Sequence, residues 1–298
     1  MRFAVVLSLM AACAWGQEGT GPFPAILEQD AGLPTHTVYR PQDLSKVTGK
    51  LPIIAWGNGG CANNGLSHRN FLMEIASYGF LAIAIGPPQA APGRGKQAPP
   101  GAKGDAKQAA PAAPATKSSQ LLDAVNWAIA ENGRPGSMYQ GKLDPSRIAV
   151  MGMSCGGIQS LAVATDPRVK LVGIWNSGLL NAPNGPGAPA MEDVRKDQLD
   201  KLHSPIFYIN GDKTDIAYEN AMDDYKRITK VPAVQLWRDG VGHGGTYSQP
   251  NGGEFGKVAV AMLKWQFMGD KEAGKMFTGS DCGFCQDPKW HVATKGIK

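Results

Sequence analysis

The sequence lacks a hydrophobic run long enough to cross a membrane. Residues 3–14 form its one long apolar stretch, and this is shorter than the roughly 17–25 residues that a transmembrane helix needs. We therefore expect no stable membrane insertion. The chain also lacks internal repeats, which argues against a solenoid or a propeller.

Aromatic residues are absent from the most basic segment, and this absence argues against a nucleic-acid partner. The formal net charge is +5. Most of that excess lies in residues 87–117, where basic residues outnumber the one acidic residue, Asp105. A groove for single-stranded nucleic acid interleaves such charges with aromatic rings. We interpret residues 87–117 as a disordered Ala/Pro/Lys-rich insertion in a strand-to-helix loop, and we expect no nucleic-acid partner.

The N-terminus has the pattern of a secretion signal. Arg2 is followed by the apolar stretch and then by small residues at Ala14 and Gly16, which suit cleavage before Gln17. Residues 1–16 are therefore predicted to be a signal peptide, and the mature protein is expected to be secreted or periplasmic. The alternatives are a buried N-terminal helix and a lipid anchor on Cys13, within a sequence that loosely resembles a lipobox.

Short apolar runs alternate with helical patterns along the rest of the chain. The predicted strands are residues 36–40, 51–56, 80–85, 148–151, 169–175, 206–209 and 233–237, and the predicted helices are residues 70–78, 120–131, 157–165 and 255–265. This alternation predicts an α/β fold with a mostly parallel central sheet and helices on both faces. We expect one domain over residues 17–298, with a minimal lid and a C-terminal tail from about residue 270.

The most informative motif is Gly152-Met153-Ser154-Cys155-Gly156, which reads G-x-S-x-G. It follows a predicted strand and opens a predicted helix, as a nucleophile elbow requires. Ser154 is the predicted nucleophile. Cys155 fits that role poorly, because the residue two positions before it would be Met153, where the tight turn needs glycine.

A serine hydroxyl needs a base to take its proton and an acid to orient that base. In nucleophile-elbow enzymes the chain order is serine, acid, histidine. His243, with glycines on both sides, follows the last predicted strand and is the predicted base. Asp215, just past the strand at residues 206–209, is the predicted acid, and Asp212 in the same loop is the alternative.

Two backbone N–H groups are expected to form an oxyanion hole. One belongs to Cys155, the residue after the nucleophile. The other belongs to the glycine-rich loop at residues 57–61, where Asn58 is the predicted donor and Gly59 the alternative.

Four cysteines remain if the signal peptide is removed, and they allow three disulfide pairings. Because the predicted elbow brings the loops of Cys61 and Cys155 together, we favour Cys61–Cys155 with Cys282–Cys285. Free buried thiols are the alternative. A redox role for the C-terminal C-x-x-C is not favoured, because no βαβ unit follows it. A C-x-x-C with no second pair is also a poor zinc site. We therefore expect no metal.

Several apolar and aromatic residues flank the predicted acid and base and are candidates for a substrate pocket. For each of them, core packing or plain surface exposure fits the sequence equally well. The candidates are Trp175, Asn176, Ile216, Tyr218 and Tyr247.

These motifs together resemble the α/β-hydrolase superfamily, and within it the dienelactone-hydrolase-like and cutinase-like secreted esterases. The resemblance covers residues 35–268 and rests on Trp56-Gly57-Asn58-Gly59-Gly60, the G-x-S-x-G at Ser154, Asp215-Ile216-Ala217 and Gly242-His243-Gly244. Trp56 departs from the His or Pro of many members. The resemblance implies a Ser–His–Asp hydrolase with an open or lightly lidded site and no cofactor.

The leading hypothesis is a secreted serine hydrolase that cleaves small or polymeric carboxylic esters through an acyl-enzyme. One alternative is a serine peptidase on the same fold, although the chain has no large cap or propeller to select peptides. The other is a non-catalytic binding protein on a hydrolase scaffold. Such proteins usually lose a triad residue, and here all three are present. The superfamily spans many acyl substrates, so the resemblance names no single ester, and the sequence predicts no oligomeric state.

Overall fold

The structure, a computed structural model, describes residues 19–88, 115–181, 192 and 194–297. The predicted signal peptide, including Cys13, lies outside the described residues. Most of the predicted insertion at residues 87–117 lies outside them as well.

The described strands form one nine-stranded sheet in the order β1-β2-β4-β3-β5-β6-β7-β8-β9. Strands β3 to β8 pair in parallel, whereas β1, β2 and β9 pair antiparallel at the two sides. The strands are β1 (Ala25–Glu28), β2 (His36–Pro41), β3 (Leu51–Gly57), β4 (Leu81–Ile85), β5 (Leu143–Met153), β6 (Val169–Trp175), β7 (Ile206–Gly211), β8 (Ala233–Arg238) and β9 (Trp290–Lys295).

Helices cover both faces of this sheet, which confirms the predicted α/β architecture. They are α1 (Arg69–Ser77), α2 (Ser119–Gly133), α3 (Cys155–Val163), α4 (Tyr218–Arg227), α5 (Gly253–Met268) and α6 (Lys271–Gly274). One buried cluster joins the sheet to α2, α3 and α4, and a second joins it to α1 and α5. In β3, Ile53 belongs to the first cluster and its neighbours Ile54 and Trp56 to the second. Strands buried on both faces therefore appear as unbroken apolar runs in the sequence.

The parallel pairing brings the carboxyl ends of β3, β5, β6, β7 and β8 to the same edge of the sheet. Ligand sites of parallel α/β sheets form outside this edge. All the loops that carry predicted catalytic residues leave the sheet there.

The C-terminal segment corrects one expectation. Residues from about 270 were expected to be a tail, but Trp290–Lys295 pairs antiparallel with β8 and extends the sheet. The side chain of Trp290 is buried with Phe284 in the α5 cluster. Because β9 is a short edge strand with charged residues among its apolar ones, its sequence carries little of the pattern that marks a buried strand.

Candidate active site

A strained turn between β5 and α3 carries Ser154. Its backbone has φ 52° and ψ −117°, a conformation that a non-glycine residue keeps only where the surrounding structure enforces it. A Cβ on Gly156 would lie 2.0 Å from the carbonyl oxygen of Gly57, and one on Gly152 would lie 2.3 Å from the carbonyl carbon of Gly156. The glycine spacing of the motif therefore reflects the close packing of β5, α3 and the loop after β3.

The imidazole of His243 lies between Ser154 and Asp215. Its Nε2 is 3.0 Å from the Ser154 Oγ, and its Nδ1 is 2.7 Å from the Asp215 Oδ1. Because an ionised carboxylate only accepts hydrogen bonds, we place the proton of the neutral ring on Nδ1, which leaves Nε2 to accept from the serine hydroxyl. The His243 side chain is 27% exposed and that of Asp215 is 0% exposed. The structure therefore brings the three predicted triad residues together, and the Asp215 carboxylate is buried behind the His243 ring.

Hydrogen-bond donors surround the Asp215 carboxylate. Besides the His243 contact, Oδ1 accepts from the Ala217 N–H at 2.9 Å, and Oδ2 accepts from the Gly211 N–H at 3.1 Å and the Asn176 Nδ2 at 2.8 Å. Burial raises the pKa of Asp215, but hydrogen bonds from His243, Ala217 and Asn176 outweigh it and leave this pKa below its ordinary value. The carboxyl group is thus held ionised, as a partner for an imidazolium must be.

Asp212, the alternative acid, has different partners. Its Oδ1 accepts from both the N–H and the hydroxyl of Thr214, and its Oδ2 accepts from the Gly240 N–H at 2.7 Å. These bonds tie the loop after β7 to the loop after β8. The structure therefore brings Asp215, and not Asp212, to the imidazole.

The loop after β3 packs its backbone against the start of α3. The Gly156 N–H donates to the Asn58 carbonyl at 3.1 Å, and a Cβ on Gly59 would lie 3.8 Å from the Ser154 Cβ. Both candidate donors of this loop, Asn58 and Gly59, thus stand close to the elbow. Cys155 opens α3, where the first N–H groups of a helix have no intrahelical acceptor. The assignment of the oxyanion hole to Asn58 and Cys155 stays a prediction.

A disulfide joins Cys61 to Cys155, with their Cα atoms 5.2 Å apart. Both residues are buried, and the bond links the loop after β3 directly to the residue that follows the nucleophile. The second disulfide joins Cys282 to Cys285, with Cα atoms 5.0 Å apart. The structure thus holds the two pairs that we favoured from the sequence.

A buried polar cluster also holds the loop after β3. The Asn58 Nδ2 donates to the carbonyls of Ile85 at 2.7 Å, Ala62 at 3.0 Å and Asn64 at 3.1 Å, and its Oδ1 lies 3.3 Å from the His68 Nδ1. Burial lowers the pKa of His68 to about 4, so this ring is neutral at pH 7. The sequence analysis missed His68, which precedes α1 outside any motif.

The predicted substrate pocket needs correction. Trp175, Asn176 and Tyr247 are at most 4% exposed, so they lie beneath the site and do not line an open pocket. Trp175, at the end of β6, and Tyr247, in the loop between β8 and α5, both pack in the α5 cluster. Tyr218 is 7% exposed and packs edge-to-face on Trp237. Ile216 alone among the five projects outward, with 79% of its surface exposed.

The part of the chain that the structure describes contains no group of three or more His, Cys, Asp or Glu side chains placed to hold a metal ion. Over those same residues, no helix is both long and apolar enough to cross a membrane.

The chain matches the PETase family, described as PET hydrolase-like, over residues 106–281. That stretch is more than half of the chain and contains Ser154, Asp215 and His243, whereas the loop at residues 57–61 precedes it. A comparison with curated proteins gives no match.

Proposed function

Because the chain belongs to the PET hydrolase-like family of α/β hydrolases and is an ester hydrolase, we propose that it cleaves carboxylic esters through a Ser154–His243–Asp215 triad. One observation carries the proposal. The serine hydroxyl, the imidazole and the carboxylate form a continuous hydrogen-bonded chain with distances of 3.0 and 2.7 Å. These are the contacts that a general base and its orienting acid require.

In the acylation step, the Ser154 Oγ attacks the ester carbonyl carbon while its proton moves to the His243 Nε2. The carbonyl π pair moves onto the oxygen, and the N–H groups of Cys155 and of Asn58 or Gly59 hold the resulting oxyanion. Each such donor is typically worth about 10²–10³-fold in kcat. The ionised Asp215 stabilises the imidazolium that forms, without taking the proton itself.

Collapse of this intermediate breaks the bond to the alcohol oxygen. His243 returns the proton to that oxygen, so the alcohol leaves and the acyl group remains on Ser154. Water then enters, His243 takes one of its protons, and attack on the acyl carbon releases the acid and restores the serine.

Ile216 supports a substrate with an apolar acyl or aryl part. Its side chain is 79% exposed and directly follows the proposed acid, so this apolar side chain is accessible to a ligand. The family name refers to PET hydrolysis. We therefore propose small or polymeric carboxylic esters as the substrate class.

We propose that the protein is exported, as a secreted or periplasmic enzyme with one catalytic domain over residues 17–298. Two disulfides among the described residues support an oxidising compartment. The signal-peptide pattern of residues 1–16 supports the same location. A lipid anchor on Cys13 has less support, because the lipobox resemblance is loose.

Replacement of the nucleophile tests the reaction. We expect Ser154→Ala to abolish hydrolysis of a p-nitrophenyl ester while the circular dichroism spectrum and the melting temperature stay near those of the unmodified protein. Ser160→Ala is the matched control, since this buried α3 serine donates only to the Gly156 carbonyl within its own helix, and such back-bonding contributes little stability. Ester turnover retained by Ser154→Ala would reject the triad.

Two further measurements separate the alternatives. A fluorophosphonate probe should label Ser154 in the unmodified protein, whereas a non-catalytic binding protein would remain unlabelled. Ester and peptide substrates assayed in parallel should give turnover of esters alone, and comparable peptide cleavage would favour a peptidase.

A further inference from the structure

Asn176 occupies the position directly after β6 and is fully buried beside the triad. Its Nδ2 donates to the Asp215 Oδ2 at 2.8 Å and approaches the Gly242 carbonyl at 3.4 Å. Its backbone φ is 40°, a left-handed value at which asparagine is tolerated better than most residues. The side chain thus contacts both the acid and the loop that carries the base.

The hydroxyl of Tyr247 sets the orientation of this amide. It donates to the Asn176 Oδ1 at 2.6 Å, so the NH₂ end of the amide must face Asp215. The Tyr247 ring is 4% exposed and packs edge-to-face against His68, Phe71 and Phe255, with ring centroids 4.8–5.5 Å apart. Close packing of this kind leaves the hydroxyl little freedom to move.

The polar chain behind the nucleophile therefore continues past the acid as Asp215–Asn176–Tyr247. We propose that Asn176 and Tyr247 are positioning residues of the triad, which hold the Asp215 carboxylate in register with the imidazole. This inference rests on the proposed function. Neither residue touches the substrate, since both are buried. They act through the Asp215 carboxylate and, by the contact of Asn176 with the Gly242 carbonyl, through the loop that carries His243. The backbone N–H groups of Gly211 and Ala217 hold the same carboxylate at Oδ2 and Oδ1, respectively.

The Asn176 dipole also has an electrostatic consequence. Its N–H points its positive end at Asp215 and so partly offsets the carboxylate charge that stabilises an imidazolium. Without that dipole, the carboxylate stabilises the imidazolium more strongly. The acidic limb of the pH profile of kcat/KM, which reports the free enzyme's essential base, should then move to higher pH.

Other ionisable groups that face this pair are Asp212 in the loop after β7, the Tyr247 phenol and, behind it, His68. The substitution at Asn176 leaves all three in place. A change in the pH profile is therefore assigned to the amide.

If the role of Asn176 were purely structural, it would depend only on the ability of asparagine to adopt a positive φ. Asn176→Gly separates the two possibilities, because glycine adopts positive φ freely but lacks the amide. We expect this variant to lose about 10–100-fold in kcat, as small misplacements of catalytic groups do, with KM nearly unchanged and the acidic limb shifted to higher pH. Asn176→Ala, which adds backbone strain, should lose at least as much.

Tyr247→Phe should change kcat and the acidic limb in the same direction by a smaller amount, because the amide remains but is free to turn. Tyr139→Phe is the matched control. That tyrosine is also fully buried and donates to a carboxylate, Glu28, outside the site, so its loss should lower the melting temperature and leave the pH profile unchanged.

Titration of the His243 imidazole by NMR in the absence of substrate provides a second measurement that does not depend on ester turnover. A failure of the unmodified protein to hydrolyse any ester would reject the proposed function, while the shift of this titration in Asn176→Gly would still support the positioning role. The positioning role is overturned if Asn176→Gly keeps the kcat and pH profile of the unmodified enzyme, or loses activity only in proportion to unfolded protein.

Discussion

Ser154, the proposed nucleophile, is held through its backbone. The Ser154 N–H donates to the Trp175 carbonyl at 3.0 Å, and the Ser177 hydroxyl donates to the Ser154 carbonyl at 2.7 Å. Both partners lie at the end of β6, so the neighbouring strand fixes the strained turn from one side while Gly156 admits the loop after β3 from the other. A single Cβ added at Gly156 would therefore prevent the loop after β3 from packing against the turn.

A methyl group at Gly156 should therefore disrupt the site. In Gly156→Ala the new Cβ would lie 2.0 Å from the Gly57 carbonyl oxygen and 2.7 Å from the Asn58 nitrogen, so backbone on both sides must shift. We expect a loss of about 1–3 kcal/mol in the free energy of unfolding and at least a tenfold lower kcat. Denaturant unfolding and ester kinetics measure the two effects.

Gly133→Ala provides the control for this prediction. A Cβ there meets nothing within 4 Å, and the residue ends α2, where alanine is the better helix former. This variant should be stabilised by about 0.4–1 kcal/mol and keep its activity. Equal stability of the two variants would contradict the close-packing argument.

At the scale of elements, a covalent bond and several hydrogen bonds join the loop after β3 to its surroundings. The Cys61–Cys155 disulfide links it to α3, the Asn58 amide links it to the end of β4, and the Thr116 N–H donates to the Cys61 carbonyl at 3.1 Å. The loop that is proposed to complete the oxyanion hole thus depends on a covalent bond and on hydrogen bonds to several elements.

Removal of this disulfide should reduce catalysis in protein that is still folded. We expect Cys61→Ala/Cys155→Ala to lower kcat by about tenfold or more at a temperature where the variant remains folded, because the oxyanion donors lose their fixed spacing. The free energy of unfolding should also fall, by about 4.7 kcal/mol in the chain-entropy treatment, since the bond spans 94 residues.

The second disulfide serves as the internal control. Cys282→Ala/Cys285→Ala breaks a bond that spans three residues near β9, and its kcat should match that of the unmodified enzyme. The comparison uses kcat normalised to active sites, titrated with the fluorophosphonate probe. An unchanged kcat in Cys61→Ala/Cys155→Ala would reject the role of the disulfide in the oxyanion hole.

At the scale of the whole molecule, one buried charge has a large influence on stability. The Asp224 carboxylate is 0% exposed and accepts hydrogen bonds from the Leu179 N–H at 2.7 Å, the Lys196 Nζ at 2.6 Å and the Tyr208 hydroxyl at 3.2 Å. Asp224 thus joins α4 to β7 and to the segment after β6. Burial raises its pKa to about 6 despite Lys196.

A raised carboxyl pKa makes the folded state hold its proton more strongly than the unfolded chain, whose aspartates titrate near 3.9. The contribution of Asp224 to the free energy of unfolding is therefore present at low pH and falls as pH rises from about 4 to about 6. At about 1.4 kcal/mol per pKa unit, the fall approaches 3 kcal/mol. Asp224→Asn cannot ionise, so its free energy of unfolding relative to the unmodified protein should rise by about that amount between pH 4 and pH 7, as urea titrations would measure.

Asp223→Asn is the contrasting variant. Its more exposed carboxylate pairs with Arg227 and Lys196, which lower its pKa to about 2. The stability that it contributes is present above pH 4 and lost as pH falls toward 2, so this variant should lose relative stability as pH rises from 2 to 4 and show little change from 4 to 7. The same pH dependence in both variants would contradict the assignment of the burial effect to Asp224.

Much of the fold follows from local pattern. The predicted strand at residues 169–175 matches β6 to the residue, and the other central strands and four helices lie within a few residues of their predicted positions. β1 and β9 were missed because edge strands are short and mix polar with apolar residues. Neither a regular alternation of apolar residues nor a continuous apolar run therefore identifies them in the sequence. Trp175 and Asn176 were misplaced because a position at a strand end does not reveal whether the side chain turns inward.

What the sequence by itself determined is the order of chemical groups: a serine between glycines after a buried strand, then an acid and a glycine-flanked histidine after later strands. Parallel strands must place such loops at one edge, so the residues of the proposed triad could be selected from the chain alone. Only the tertiary structure decided which buried polar groups support them. The contacts of Asn176 with Asp215 and of Tyr247 with Asn176 join residues far apart in sequence, and such contacts exist only once the two cores have packed around the sheet.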